Sequence, residues 1–235
     1  VLLSKANLAP IKVAGADKRD QVLHQLRVEA DGTTVASDGS AILAVEPIDD
    51  RPAAMPDFKT ETDVGEDGAG IPPEIVTEAL RNIPKGNLGL ELGFVAVTGY
   101  NEEDGTIELT ATDLNKNLKV EGQLSRRRFS EWRPVLQRAR KACKHRVCVD
   151  RKALIKLLQA MESACPNPDN SAFIEFGESE TDGFLVRSVG VETGQRAIGY
   201  MLPLDTGDEW LKMNSWERKV MRRSVKRRRR DADEA

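Results

Sequence analysis

Two thiols and an imidazole fall within six residues in Cys143–Lys144–His145–Arg146–Val147–Cys148, and that donor set is the one a zinc site uses. In an extended strand side chains alternate between faces, so Cys143 and His145 point one way and Cys148 the other. With two histidines and three cysteines in the whole chain, the third being Cys165, no second pair stands nearby to close a tetrahedral shell. Ordinary packing is therefore the reading, with no metal. The odd cysteine count speaks against a disulfide framework and fits a reducing compartment. No glycine-rich phosphate loop precedes a helix, no Ser, His and Asp stand as a nucleophile would need them, and carboxylates cluster in turns such as Glu102–Asp104. The chain reads as a non-enzyme without cofactors.

Charge carries a different chemistry. The net charge is -3, yet from Lys212 to Ala235 there are ten basic and four acidic residues, a surplus of +6 that leaves -9 for residues 1–211. An acidic body with a basic end points to an anionic partner such as nucleic acid. The density of Arg222–Arg230 admits three readings: contact with DNA phosphates, a localisation-type basic patch, or a solvated end; phosphate contact is the one carried forward. A second basic stretch, Ser125–Gln137, holds Phe129 and Trp132 in a chain that is 5% aromatic. These rings either pin a joint between domains or line a surface for a partner.

The elements that must position these residues follow from pattern. Residues 1–14 show a rough helical face, and Pro10 limits a continuous helix to about residue 9. Val22–Ala30 alternates as a half-buried strand. Turns at Asp31–Gly32 and Asp38–Gly39 join it to Thr33–Ser37 and Ile42–Val45. Residues 47–70, rich in Pro, Asp and Gly, read as a long loop. Pro72 and Pro73 open a helix through Asn82, closed by Pro84–Gly86. Strands are expected at Leu88–Thr98, Gly105–Thr112 and Asn117–Leu124. After the basic aromatic stretch come a strand at Arg146–Val149, an N-cap at Asp150, a helix over Arg151–Ala164, and strands at Ser171–Phe176, Phe184–Val189 and Gln195–Leu202. A helix followed by three strands thus recurs at roughly 65-residue spacing, in three copies beginning near residues 1, 71 and 146. Copies one and two should bury their sheet faces against each other as one domain. The third has no fourth, and residues 205–235 form a basic amphipathic helix or tail. No run reaches the length of a membrane helix, and Val1–Lys5 does not read as a signal peptide. The chain reads as soluble and intracellular. The lack of an initiator Met suggests that an N-terminal strand precedes Val1.

Three blocks in order resemble the bacterial DNA polymerase sliding clamp, the beta clamp. Leu26–Ala44 is similar to the clamp's strand, turn and Thr-Asp-Gly-His-Arg-Leu-Ala-like segment, with Ser40–Ala41 standing for the His-Arg pair. Gly70–Val76 fits the spacing, and Phe129–Leu136 is similar to the Phe-Pro-Asp-Tyr-Arg-Arg-Val-Ile segment that ends the same domain. The resemblance implies an α+β, sliding-clamp-like fold. It comprises a clamp-like domain over 1–137 with two helix-plus-sheet units, a half domain over 138–204 and a basic tail over 205–235. The clamp's first domain and the last half of its third have no counterpart.

The resemblance further implies a non-enzymatic, cytoplasmic, nucleoid-associated factor in DNA replication. It would encircle or track DNA without reading its sequence, add processivity, and recruit a DNA polymerase or another clamp-binding protein. The alternative is a clamp-fold module without ring closure that binds DNA or protein through its tail. Helix residues that would face DNA are Arg81, Lys85, Arg151, Lys152 and Lys156, joined by Arg126, Arg127, Arg222, Arg223, Lys226 and Arg227; a merely solvated helix face is the competing reading. The partner-peptide cleft would comprise Gly39, Ile42, Trp132, Pro134, Val135 and Leu136. Counting half-domain units, roughly four copies would complete the family's ring, or dimers with swapped halves would. A homo-oligomer is expected.

Overall fold

Ser4 starts the first helix with a reciprocal cap. Its hydroxyl accepts from the Asn7 N–H, and the Asn7 carboxamide oxygen accepts from the Ser4 N–H, which satisfies donors the first turn would otherwise orphan. Helix α1 (Lys5–Leu8) is one turn long and passes into a 3-10 segment, Ala9–Val13. Pro10 sits at the start of that segment, where its missing N–H costs nothing. Ahead of the helix, β1 (Leu2–Ser4) is extended, which corrects the reading of 1–9 as helix alone. The computed structural model describes residues 1–48, 62–83, 94–112, 117–125, 127, 129, 131–142, 148–164, 171–177, 183–189, 196–204 and 215–222. They divide between two units, Val1–Trp132 and Arg133–Ala235.

In the first unit, β2 (Leu26–Val28), β3 (Thr34–Ser37) and β4 (Ile42–Val45) pair antiparallel in sequence order. The strand expected over 22–30 is shorter because Asp20 Oδ1 accepts the N–H groups of Val22 and Leu23. His24 Nδ1 also lies 2.6 Å from the Gly15 carbonyl. These local bonds hold the backbone in turns and compete with a ladder. The stretch read as a loop through residue 70 ends in a strand, β5 (Ala69–Ile71), antiparallel to β2. Helix α2 (Pro73–Asn82) then leads to β6 (Phe94–Asn101), β7 (Thr106–Thr112) and β8 (Asn117–Gln123). Residues 88–93, expected to begin β6, lie outside the described residues.

The two sheets are ordered β4-β3-β2-β5 and β1-β6-β7-β8. Each half of the unit therefore lends its first strand to the other half's sheet: Leu3 pairs with Val95, and Leu26 with Ile71. One core results, fed by both sheets and both helices through Leu3, Leu8, Leu26, Ile71, Val76 and Leu109. Each such side chain contributes about 1.5–3 kcal/mol by leaving water. The opposite face of the second sheet combines a small apolar cluster of Leu2, Phe94 and Ala96 with a polar patch, where Thr98 and Lys119 both donate to Glu108. The Glu108 carboxyl is held below the usual carboxylate range, first by the Thr98 hydroxyl and then by Lys119.

The second unit holds α3 (Arg133–Ala142), α4 (Arg151–Ala164) and α5 (Ser215–Arg222) and is built on α4. Asp150 caps α4 as expected, its Oδ1 accepting the N–H groups of Lys152 and Ala153. The apolar stripe Leu154, Leu157, Leu158 and Met161 packs on Phe184, Val186, Ala197 and Met201. Those residues belong to a sheet ordered β11-β10-β9, with β9 (Phe173–Phe176), β10 (Phe184–Val189) and β11 (Arg196–Met201). The alternation along β10 is strict, with Phe184, Val186 and Ser188 buried and Leu185, Arg187 and Val189 exposed. The outer face carries Phe173, Ile198 and Tyr200, which are 60%, 71% and 58% exposed. Of the strand expected at 146–149, residues 146 and 147 lie outside the described residues, and Cys148–Asp150 is not a strand. Cys148 O nevertheless accepts from Leu204 N at 2.8 Å. Helix α3 was not anticipated in the sequence. Among the described residues no helix is long and apolar enough to cross a membrane.

Candidate partner-binding and nucleic-acid surfaces

The Asp38–Gly39 turn is the best-formed part of the predicted cleft. Asp38 Oδ1 accepts from the Ser40 N–H, the Ser40 hydroxyl and the Ala41 N–H. These bonds, with Ala41 first, hold the Asp38 carboxyl below its ordinary range. Ser37 Oγ donates to Ala41 O and accepts from Gly39 N. Gly39 has φ +90, a left-handed conformation open to glycine. A side chain there would meet Leu23 Cδ1 at 3.4 Å, so Leu23 borders the turn. Ile42 is half-buried and Leu43 exposed beside it. The sequence reading missed Leu23, whose place beside Gly39 has no signal in its local pattern.

Up to Trp132, described residues of the basic aromatic stretch are bonded within the first unit. Ser125 N donates to Gly70 O at 2.8 Å, and Ser125 Oγ to Gln21 O at 3.1 Å. The fully buried Gln25 donates its amide nitrogen to Gln21 O, Val22 O and Arg127 O. Phe129 is buried. Trp132 is 3% exposed, with its indole N–H donating to Glu29 Oε1 at 3.2 Å. The same carboxylate oxygen is 3.6 Å from Arg27 Nε. Gln25 and Glu29 alternate with apolar neighbours and read as a solvent face in sequence, whereas they bind this stretch.

Pro134, Val135 and Leu136 form the first turn of α3, in the second unit. Val135 is 40% exposed and the other two are half-buried. Gly39, Ile42 and Trp132 belong to the first unit. Arg127 is exposed and lines an open cavity of 440 Å³ together with Arg27, Asp67, Tyr100, Glu102 and Asp104. Burial, then Glu102 beside it, push the Tyr100 phenol up. With cations and carboxylates opposed across it, the cavity is suited to charged or polar groups.

The remaining basic residues separate by helix. Arg81 is exposed on the last turn of α2, but Glu74 and Glu78 share the exposed side, and Glu74 meets Lys18 at 3.8 Å. On α4 the exposed residues Arg151, Lys152 and Lys156 have no carboxylate of a described residue within ion-pair distance. Arg222 ends α5. Lys85, Arg126, Arg223, Lys226 and Arg227 lie outside the described residues, as do Cys143 and His145 of the first-considered metal set. Cys148 is a free thiol, and no group of three or more metal-ligating residues occurs among the described residues.

No family model matches the sequence, and no curated protein matches it. In fold the chain is similar to the DNA polymerase III subunit beta from Borrelia burgdorferi, solved in complex with a natural product. The identity is 12% and the TM-score 0.51, over 86% of this chain and 47% of that one. The chain thus spans less than half the length of the protein it matches. What the likeness establishes is the fold: helices and antiparallel sheets in an α+β arrangement like that of a DNA sliding clamp.

Proposed function

We propose that the protein is a non-enzymatic, clamp-like factor that encircles or tracks duplex DNA without reading sequence and tethers a partner protein. The observation that carries this reading is the exposed face of α4, where Arg151, Lys152 and Lys156 stand unpaired among the described residues on a helix of a clamp-like fold. Cations so placed meet phosphates without reading bases. Helix α2, with two exposed carboxylates beside Arg81, contributes less. The turn Asp38–Ile42 with Leu23, and the α3 residues Pro134–Leu136, are the surfaces proposed to receive a partner peptide, from a polymerase or another clamp-binding protein. Trp132 is buried in the first unit and bonded to Glu29.

Ring closure requires several copies. Light scattering at high concentration should give about four times the 26.0 kDa chain mass. A monomer mass under those conditions contradicts the ring and favours the second reading, a non-encircling DNA-binding module. That reading draws on the ten basic residues between Lys212 and Ala235.

A further inference from the structure

Helix α3 carries Arg133, Arg138, Arg140 and Lys141 in ten residues and no acid. It lies against α5, which carries Arg218, Lys219 and Arg222 with a single acid, Glu217. Some surface cations elsewhere are matched, Lys18 by Glu74, Lys119 by Glu108 and Arg187 by Glu175, whereas those of α4 are not matched by any described residue. Around Arg138, Arg140 and Arg218 no carboxylate of a described residue comes within ion-pair distance. Arg138 and Arg218 are exposed and Arg140 is half-buried.

Two adjacent helices of like charge repel unless an anion offsets them. We propose that the α3–α5 pair binds the sugar-phosphate backbone of duplex DNA, as a contact separate from α4 and independent of encirclement. Arg138, Arg140 and Arg218 sit on two helices, and the pair's sequence carries seven cations to one acid, a surplus that suits a polyanion better than a small ion. A ten-residue helix is about 15 Å long, and a duplex presents one phosphate charge per ~1.7 Å of its axis. A basic amphipathic helix such as α5 could also lie on an anionic membrane, but only with its apolar side free to insert. In this structure the described apolar residues of that side are not free, Trp216 being half-buried. Val220 is buried, and its carbonyl accepts from Gln137 Nε2 of α3 at 3.1 Å.

The test compares the full chain with its Arg138→Gln/Arg140→Gln/Arg218→Gln variant, using fluorescence anisotropy on a short linear duplex of arbitrary sequence over a salt series. The variant should bind about tenfold more weakly at moderate salt, and its slope of log K against log salt should be shallower by about 2 to 3. Circular dichroism and the thermal midpoint should match wild type, and Arg138→Lys/Arg140→Lys/Arg218→Lys should keep affinity and slope. Unchanged duplex affinity and slope in the glutamine variant would overturn the proposal. So would an equal loss in the lysine variant, which would trace the effect to guanidinium packing. Loss of binding to phosphatidylserine vesicles with duplex binding intact would overturn it in favour of a membrane surface.

Discussion

Gly70 has no room for a side chain, since a Cβ there would fall on Gln25 Oε1, and Gln25 is the buried amide that joins residues 21, 22 and 127. Gly70→Ala should therefore destabilise the first unit by about 1–3 kcal/mol in chemical denaturation. Trp132 gives a paired test. Trp132→Ala removes a buried ring and should cost about 3–5 kcal/mol, whereas Trp132→Phe loses chiefly the bond to Glu29 and should cost about 1 kcal/mol. An alanine variant with an unchanged denaturation midpoint but weakened partner binding would contradict the buried placement. Glu108 ties stability to pH. Its folded-state pKa is depressed by Thr98 and Lys119, so its stabilising contribution is present at neutral pH and lost as pH falls through that depressed value. The stability difference between wild type and Glu108→Gln should therefore narrow on acidification; a constant difference would deny the linkage.

At the scale of elements, what could be read in sequence depended on whether burial was one-sided. Helix α4 announced itself through Asp150 and the stripe Leu154–Leu157–Leu158–Met161, and β10 through its alternation. Asp150→Ala should lower stability by about 1 kcal/mol, measured by thermal unfolding, because the N–H groups of Lys152 and Ala153 lose their acceptor. By contrast β1 and β5 are three residues each, and β5 is buried at every position, so neither leaves a period to detect. Yet these two strands make the reciprocal exchange between sheets. Helix α3 was hidden because its apolar positions, Val135, Leu136 and Ala139, are few among its cations. The Asp38–Gly39 turn was legible from its residues. The anchoring of Trp132 by Glu29 was not, because it joins positions 103 apart in sequence.

At the scale of the whole molecule, an acidic body joined to a strongly basic end fits a protein that meets DNA through selected surfaces and repels it elsewhere. The encirclement proposed above would be a topological way of staying on DNA, distinct from simple attraction. The two have opposite signatures, since attraction weakens with salt and linkage depends on closed ends. The decisive measurement is retention on nicked circular duplex DNA, washed at elevated salt and then cut once by a restriction enzyme. Encirclement predicts that protein stays on the circle through the salt wash and is released after the cut. Release by salt from the intact circle, with no further loss on linearisation, would contradict it.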